Sequence, residues 1–309
     1  MIPHLAEDNI ALIFPAFISD YRDDPSREFP AFRDVFQALL IKAAGYVDKE
    51  LLSFHPESNP MLQDELRNQY ISYIYGCSCA DILLKSGVKP GMIAGYSMGI
   101  YASLFTAGSI SFETGLSFIQ KAYAAIRKVL PHRQYGMCGV IGLSEKDIRE
   151  VALHHSLNLM IVNRNSDYSF ILAGESFHIN VFLLKAREEG ALHARSLGVT
   201  IPYHTNLLEE AAKDLSHAVF NADIQAPAIP IISVLNQDMI INGDRARNEV
   251  VNNIHTPFDW LVTQQQMFSS GIRTFTECGP SQALRKNSKF IPGAGKFVNW
   301  DTLVKRRVE

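Results

Sequence analysis

Apolar residues recur along the chain in short runs and at helical spacing, and together they predict alternating strands and helices. Residues 10–14 form a continuous apolar run that ends at a proline, which is typical of a buried strand followed by a loop. A similar run at 92–94 leads into a glycine-containing pentapeptide, and helical spacing is present over 31–51, 66–84, 100–107 and 112–130. This alternation predicts a large α/β domain.

The middle of the chain follows a different order: strand, helix, strand, strand, helix, strand. The strands are predicted over 137–143, 158–163, 168–173 and 192–199, and the helices over 145–155 and 176–189. Ser144, with Asp147 three residues later, is expected to cap the first of these helices. The order is that of the ferredoxin-like split unit. We therefore predict that residues 1–133 and 201–309 form the large domain and that residues 134–200 form an inserted ferredoxin-like subdomain.

Composition narrows the class of protein. The chain has 309 residues, of which 47% are hydrophobic and 20% charged, as in a soluble protein with a full-sized core. A net charge of -3 gives no reason to expect a nucleic-acid partner. Cys77, Cys79, Cys138 and Cys278 have neither a disulfide-framework nor a zinc-site spacing, which favours reduced thiols. With no secretory signal and no 18-residue apolar run, we expect a cytoplasmic protein that binds no membrane, and a monomer by default.

Residues 95–99 read Gly-Tyr-Ser-Met-Gly, and they lie between a predicted strand and a predicted helix. A serine at such a sharp turn has its hydroxyl exposed at the carboxyl edge of the sheet, and the crowded backbone requires small flanking residues. The following helix offers free amides to a developing oxyanion, the first of them at Met98. Ser97 is therefore the candidate nucleophile, and an ordinary glycine-rich turn is the alternative.

A serine nucleophile needs a base, and the chain has ten histidines. His204 lies just after the last strand of the small subdomain, where the chain re-enters the large domain and where clefts form. His154, His155 and His255 have no comparable surroundings. From the residues alone, a structural role for His204 is still favoured over a catalytic one.

At this point several segments carry a resemblance to the malonyl-CoA:acyl-carrier-protein transacylase family and to the acyltransferase domains of polyketide synthases. The resemblance covers nearly the whole chain and keeps the order and spacing of the family's motifs. The matching segments are 13–15 (IFP), 94–99 (AGYSMG), 107–108 (AG), 136–137 (GM), 141–143 (IGL), 201–204 (IPYH), 256–260 (TPFDW) and 277–280 (ECGP).

The resemblance implies an α/β-hydrolase-like domain with a nucleophile elbow and the inserted subdomain, and it implies roles for residues. Ser97 would attack the thioester of the donor, and His204 would accept its proton and later activate the incoming thiol. A backbone carbonyl, matched here by Asn253, would orient the imidazole, and the amide of Phe17 would complete the oxyanion site. The partners would be an acyl-CoA and an acyl carrier protein. No metal and no bound cofactor is expected, since coenzyme A or phosphopantetheine enters as part of the substrate.

The sequence departs from the family pattern in four places. The loop after the first strand usually reads Gly-Gln-Gly-Ser-Gln, whereas residues 16–20 read Ala-Phe-Ile-Ser-Asp. The residue before the serine is usually histidine and is Tyr96 here, and the usual glutamate after the motif is Ile100. Malonyl-selective members carry an arginine that pairs with the malonyl carboxylate, and an ungapped count from the elbow places Ala122 there.

The loss of that arginine bears on the substrate. A buried carboxylate without its partner costs on the order of 3–5 kcal/mol. Lys121 is turned about 100° away on the helix, and Arg127 is also off that face. Arg164, in the small subdomain, is a possible substitute cation. We expect instead an uncharged acyl group in an apolar pocket; the expected pocket residues are Phe17, Tyr96, Ala122 and Tyr203.

Three other functions stay open at this stage. An acyl-thioester hydrolase that clears acyl groups from carrier proteins would use the same nucleophile, a substitute cation would allow malonyl transfer, and a non-catalytic relative would only bind the carrier protein. A general lipase or esterase is disfavoured, because it would need an acid between serine and histidine. Carrier proteins are acidic, so a basic rim is expected. Two basic clusters are candidates for it: Arg285, Lys286 and Lys289, and Lys305, Arg306 and Arg307.

Overall fold

The computed structural model describes residues 9–17, 21, 29–54, 64–130, 134–288, 291 and 295–308. In chain order the strands are β1 (Ile10–Phe14), β2 (Met92–Gly95), β3 (Tyr135–Ile141), β4 (Leu159–Ser166), β5 (Ser169–Glu175), β6 (His193–Ser196), β7 (Ile231–Ile232), β8 (Met239–Ile240), β9 (Phe258–Asp259), β10 (Thr274–Glu277) and β11 (Lys296–Asn299). The helices are α1 (Pro30–Ala43), α2 (Glu65–Lys85), α3 (Gly99–Thr106), α4 (Phe112–Val129), α5 (Glu145–His154), α6 (Ser176–Glu188), α7 (Glu209–Phe220), α8 (Gly243–Asn253), α9 (Trp260–Ser269), α10 (Ala283–Ser288) and α11 (Trp300–Val308).

The larger sheet has the strand order β11-β10-β1-β2-β7-β8. Its strands are parallel from β11 to β7, and β8 pairs antiparallel with β7. All five residues of β1 are buried, as expected for a strand covered by helices on both faces. Phe14 is in register with Gly95, and Ile13 with Glu277. The carboxyl ends of β1, β2 and β10 therefore meet at one edge, where ligand sites of such sheets form.

The smaller sheet has the order β6-β3-β5-β4-β9. Strands β3 to β6, with α5 and α6, form the ferredoxin-like unit predicted from the sequence, and its neighbouring strands pair antiparallel. Ser144 and Asp147 form the predicted capping box at the start of α5. The fold is thus a large α/β domain with a ferredoxin-like subdomain, and the boundaries at residues 134 and 200 stay a prediction.

Strand β9 was not predicted, and it links the two parts of the molecule. It pairs parallel with β4, with Asn163 opposite Phe258 and Arg164 opposite Asp259. This segment comes from the chain beyond residue 200 and continues directly into α9. The small sheet is therefore completed by a strand that the chain supplies just before a helix of the large domain.

The helix predicted over 31–51 is shorter in the structure. Helix α1 ends at Ala43, and a separate 3₁₀ turn follows at Lys49–Leu52. The Asp48 side chain accepts a hydrogen bond from the Glu50 amide at 3.0 Å and so caps the start of this separate turn. The other long helices, α2 and α4, lie within one or two residues of their predicted ranges and begin at capping side chains, Asp64 and Ser111.

All four cysteines are buried free thiols, in keeping with the spacing argument. Among the residues that the structure describes, no helix is long and apolar enough to span a membrane. The same residues hold no cluster of three or more histidine, cysteine, aspartate or glutamate side chains suited to a metal ion.

Candidate active site

The pentapeptide at 95–99 forms a sharp turn between β2 and α3. Ser97 has a φ of 55°, in the left-handed region that non-glycine residues rarely adopt. A Cβ on Gly95 would lie 2.3 Å from the Ile100 nitrogen, and one on Gly99 would lie 2.2 Å from the Phe14 carbonyl oxygen. Both contacts are with backbone that cannot give way. The two glycines are therefore required by the turn that presents Ser97.

His204 lies beside this serine, although 107 positions separate the two residues. The Ser97 Oγ and the His204 Nε2 are 2.7 Å apart, within hydrogen-bond distance. His204 is itself strained, with a φ of 62°. Its backbone amide donates to the Ile254 carbonyl at 2.8 Å, and the Thr205 hydroxyl donates to the Pro202 carbonyl at 2.7 Å. These bonds hold the turn that aims the imidazole at the serine.

The second imidazole nitrogen faces backbone carbonyls. The Nδ1 of His204 is 3.2 Å from the Thr256 carbonyl oxygen, which lies in the turn after α8. The expected partner was the carbonyl of Asn253, the last residue of that helix. This carbonyl also raises the pKa of His204, but it does so less than the Thr256 carbonyl. The orienting group is thus the carbonyl-lined turn that follows α8, with Thr256 as the hydrogen-bond acceptor.

Burial sets the charge of this imidazole. His204 is 3% exposed, and desolvation lowers its pKa to about 4, although both carbonyls act in the opposite direction. It is therefore neutral at neutral pH. With its proton on Nδ1 toward Thr256, its Nε2 lone pair faces the Ser97 hydroxyl as a general base requires.

Two loops at the sheet edge carry the expected oxyanion amides. Met98 is the N-cap residue of α3, where backbone amides have no partner within the helix. Gly99 approaches the Phe14 carbonyl so closely that the segment leading to Phe17 packs directly against the elbow. Residues 18–20, the rest of the altered loop, lie outside the described residues. The roles of Met98 and Phe17 stay predictions.

The structure brings two of the expected pocket residues, Phe17 and Tyr203, into contact and buries a third, Ala122, in the core. Ala122 is buried on α4 in the main core cluster, and Tyr203 packs against the same cluster. The rings of Phe17 and Tyr203 meet edge to face, 6.1 Å apart. The Tyr203 hydroxyl accepts a hydrogen bond from Gln69 Nε2 at 2.8 Å. Gln69, on α2, was missed from the sequence, because nothing local marks a partner 134 positions away.

Arg164, the possible substitute cation, is already paired. Its guanidinium forms two bonds with one carboxylate oxygen of Asp259, at 2.7 and 2.9 Å, and lies 3.9 Å from Asp167. Its neighbours in β4, Asn163 and Asn165, bond instead to the Tyr96 hydroxyl. Because successive strand residues point to opposite faces, Arg164 is directed away from the elbow.

Tyr96, which is also expected to line the pocket, connects the elbow to the small sheet through its hydroxyl. Its hydroxyl accepts a hydrogen bond from Asn163 Nδ2 at 2.6 Å and donates one to Asn165 Oδ1 at 3.1 Å. Its ring packs edge-on against Phe258 and Trp260. The two asparagines were also missed. The signal that could have found them is a pair of amides two residues apart, one at the end of a predicted strand and one just beyond it.

The described members of the basic clusters lie on α10 and α11, and the Glu-Cys-Gly-Pro segment begins at the last residue of β10. Arg285 and Lys286 are exposed on α10, whereas Lys305 lies 3.8 Å from Asp301. Lys289 and the side chain of Arg307 lie outside the described residues. Glu277 accepts the amides of Leu284 and Arg285 at 3.1 and 3.3 Å. It therefore orders the start of α10 after β10.

Comparison with known proteins agrees with this geometry. The model of a family described as the acyl transferase domain matches residues 75–288. The malonyl CoA-acyl carrier protein transacylase of Buchnera aphidicola (subspecies Schizaphis graminum) is 25% identical over 284 residues, 90% of either chain. The solved transacylase of that name from Coxiella burnetii superposes with a TM-score of 0.84, at 24% identity over 98% of both chains. A malonyl-transacylase solved with its type II polyketide synthase acyl-carrier protein gives 0.83 at 22% identity, covering 96% of this chain and 99% of that one. At these identities the structural likenesses show a shared fold.

Proposed function

The chain belongs to the acyl transferase domain family, and from that premise we propose that it moves an acyl group from a thioester donor, through an ester on Ser97, to the phosphopantetheine thiol of an acyl carrier protein. The observation that carries the proposal is the 2.7 Å approach of Ser97 Oγ to His204 Nε2, at a strained elbow that glycines make possible. The relatives named for the same transfer support the carrier protein as acceptor.

The first half-reaction forms the acyl-enzyme. Ser97 Oγ attacks the thioester carbonyl carbon while its proton passes to His204 Nε2. The oxyanion then lies against the amides at the start of α3 and in the loop after β1, in the roles proposed for Met98 and Phe17. When the carbon–sulfur bond breaks, the departing sulfur takes the proton from the imidazole. His204 is again neutral, and Ser97 carries the acyl ester.

The second half-reaction runs the same steps in the other direction. The carrier thiol gives its proton to His204 Nε2, and its sulfur attacks the ester carbonyl carbon. The carbon–oxygen bond to Ser97 then breaks, and the serine oxygen recovers the proton. During both halves the Thr256 carbonyl, 3.2 Å from Nδ1, stabilises the transient imidazolium.

The acyl group that we propose is uncharged. The position of the family's carboxylate-binding arginine is held by Ala122, and Arg164 is bound to Asp259. The polar pair of Gln69 and Tyr203, whose side chains share a hydrogen bond, carries no positive charge. A malonyl carboxylate would therefore be desolvated without a cation, which costs about 3–5 kcal/mol. Acetyl and longer apolar acyl chains avoid this cost.

The test is a transfer assay with a holo carrier protein and a panel of acyl-CoA donors. The mass of the carrier protein should rise by one uncharged acyl group with wild type and with Ser216→Ala, a control on the surface of α7. With Ser97→Ala the transfer should be lost. If free acid is released and the mass of the carrier protein does not rise, the protein is a hydrolase and not a transferase. Binding of the carrier protein with no turnover would make the chain a binding module.

A further inference from the structure

Tyr96 occupies an unusual position, immediately before the nucleophile and in hydrogen-bond contact with the small subdomain. We propose that it is a positioning residue: its hydroxyl ties the elbow to β4 and so sets the place of Ser97 relative to His204. The proposal rests on the proposed function, because it takes Ser97 as the nucleophile. It adds a residue that the family pattern does not supply, since histidine is usual at this position.

The hydrogen bonds of this connection form a small buried network. Asn163 Nδ2 donates to the Tyr96 hydroxyl at 2.6 Å and to Asn165 Oδ1 at 2.8 Å, and the hydroxyl donates to Asn165 Oδ1 at 3.1 Å. Asn163 Oδ1 accepts the Trp260 backbone amide at 3.3 Å. Asn163 and Asn165 are 2% and 1% exposed. In such a buried network each member is held by its partners, because unmade bonds there are costly.

The network reaches the base as well as the nucleophile. The Tyr96 ring meets the Phe258 ring edge to face at 5.0 Å, and the Phe258 ring lies 4.8 Å from the His204 imidazole. Phe258 is in turn paired with Asn163 through the β9–β4 register. Ring contacts therefore connect Tyr96, the residue before the nucleophile, through Phe258 to His204. The His204 imidazole in turn contacts the Ser97 hydroxyl.

The backbone gives a reason for this support. Both Ser97 and His204 hold left-handed φ angles, which persist only where the surroundings fix them. The Tyr96 amide is bonded to the Phe14 carbonyl at 2.8 Å, which fixes the residue on the side of the large sheet. Its hydroxyl fixes the opposite end on the small sheet. Tyr96 thus connects the large sheet, through its backbone amide, to the small sheet, through its side-chain hydroxyl.

The step to be measured is modification of Ser97 by a small fluorophosphonate. Ser97 Oγ attacks phosphorus, the phosphorus–fluorine bond breaks, fluoride leaves, and His204 takes the serine proton. This probe lacks pantetheine, so a contact of the asparagines with a substrate arm does not affect it. The rate reports only how well the serine and its base are placed.

Four variants are compared with wild type: Tyr96→Phe, Asn165→Ala, the double variant, and Tyr168→Phe as a control. Tyr168 is 56% exposed on the same subdomain. We expect Tyr96→Phe and Asn165→Ala each to slow labelling roughly 10-fold, the scale of one lost buried hydrogen bond. Because both changes break the same connection, the double variant should also be slowed roughly 10-fold and not 100-fold. Tyr168→Phe should label like wild type.

A second readout separates positioning from substrate binding. With an acyl-CoA donor, Tyr96→Phe should lower the acylation kcat by the same factor while KM stays within about twofold. If wild type labels at Ser97 and Tyr96→Phe labels at the same rate, the positioning role alone is overturned. Additive losses of labelling rate in the double variant would overturn it as well. A wild type that does not label at Ser97 would overturn the proposed function, and the positioning role with it.

Discussion

Replacing Ala122 by arginine should turn the protein toward malonyl donors. Ala122 is 4% exposed on α4, so a carboxylate placed beside it would be removed from water. The substitute cation considered from the sequence, Arg164, is held 2.7 Å from Asp259. A desolvated carboxylate without a partner costs about 3–5 kcal/mol. At about 1.4 kcal/mol for each factor of ten, this corresponds to two to three and a half decades in rate.

The assay is the rate of ester formation on Ser97 with malonyl-CoA and with butyryl-CoA, compared as a ratio. In wild type the ratio should be far below one. Ala122→Arg should raise it by at least about 100-fold, since the new guanidinium would pair with the malonyl carboxylate. Ala122→Gln is the matched control, because it adds similar bulk without charge and should leave malonyl loading slow.

The reasoning fails if wild type already loads malonyl as fast as butyryl. It also fails if Ala122→Arg folds, as judged by its melting transition, and loads malonyl no faster than Ala122→Gln does. Either result would mean that the acyl group lies away from this stretch of α4 or that another cation serves it.

Further predictions concern the elbow and the base. In Gly99→Ala the new Cβ would lie 2.2 Å from the Phe14 carbonyl oxygen, so we expect the acylation rate to fall about 100-fold through displacement of the elbow. Gly139→Ala is the control, because the atom nearest to its new Cβ is 3.6 Å away. Equal acylation rates for the two variants would contradict the steric argument. The acylation kcat/KM should rise with pH through about 4, as His204 loses its proton, and stay level to neutral pH. An inflection at 6.5 or above would show that the imidazole is not desolvated as the structure has it. The same depressed pKa makes unfolding easier as the pH falls from about 6.5 to 4, because the unfolded chain binds the proton more readily in that window.

Several elements could be predicted because their signals are local. The apolar run of β1, the glycines around Ser97 and the capping box at Ser144 each depend on neighbouring residues. The order of strands and helices likewise predicted the ferredoxin-like unit. Helical spacing over 66–84 also predicted α2, and in the structure the Asp64 side chain caps its start by accepting the Arg67 amide at 2.8 Å.

The parts that could not be predicted depend on contacts between distant segments. Gln69 meets Tyr203, and Asn163 meets Tyr96, only because the subdomain folds back over the sheet edge. Strand β9 has two residues, too few for a period to be visible. Thr256 acts through its carbonyl, which every residue has, so its side chain carries no signal.

Tyr96 shows how a departure from a family pattern changes meaning once contacts are known. In the sequence it was a larger residue in place of a histidine, and a pocket role was the natural expectation. In the structure its hydroxyl reaches the small sheet, and its ring packs against Phe258 and Trp260. The tyrosine at this position and the two asparagines of β4 are thus hydrogen-bond partners.

The most direct test of the central claim is the intact mass of the protein after incubation with malonyl-, acetyl-, butyryl-, octanoyl- and benzoyl-CoA, for wild type and Ser97→Ala. The account predicts a mass increase of one acyl group on wild type only, with an uncharged donor and not with malonyl-CoA. It also predicts that the adduct disappears when a holo carrier protein is added and that the carrier gains the same mass. An adduct that persists in Ser97→Ala, or none from any donor on wild type, would contradict the assignment of Ser97 as the acyl-bearing residue.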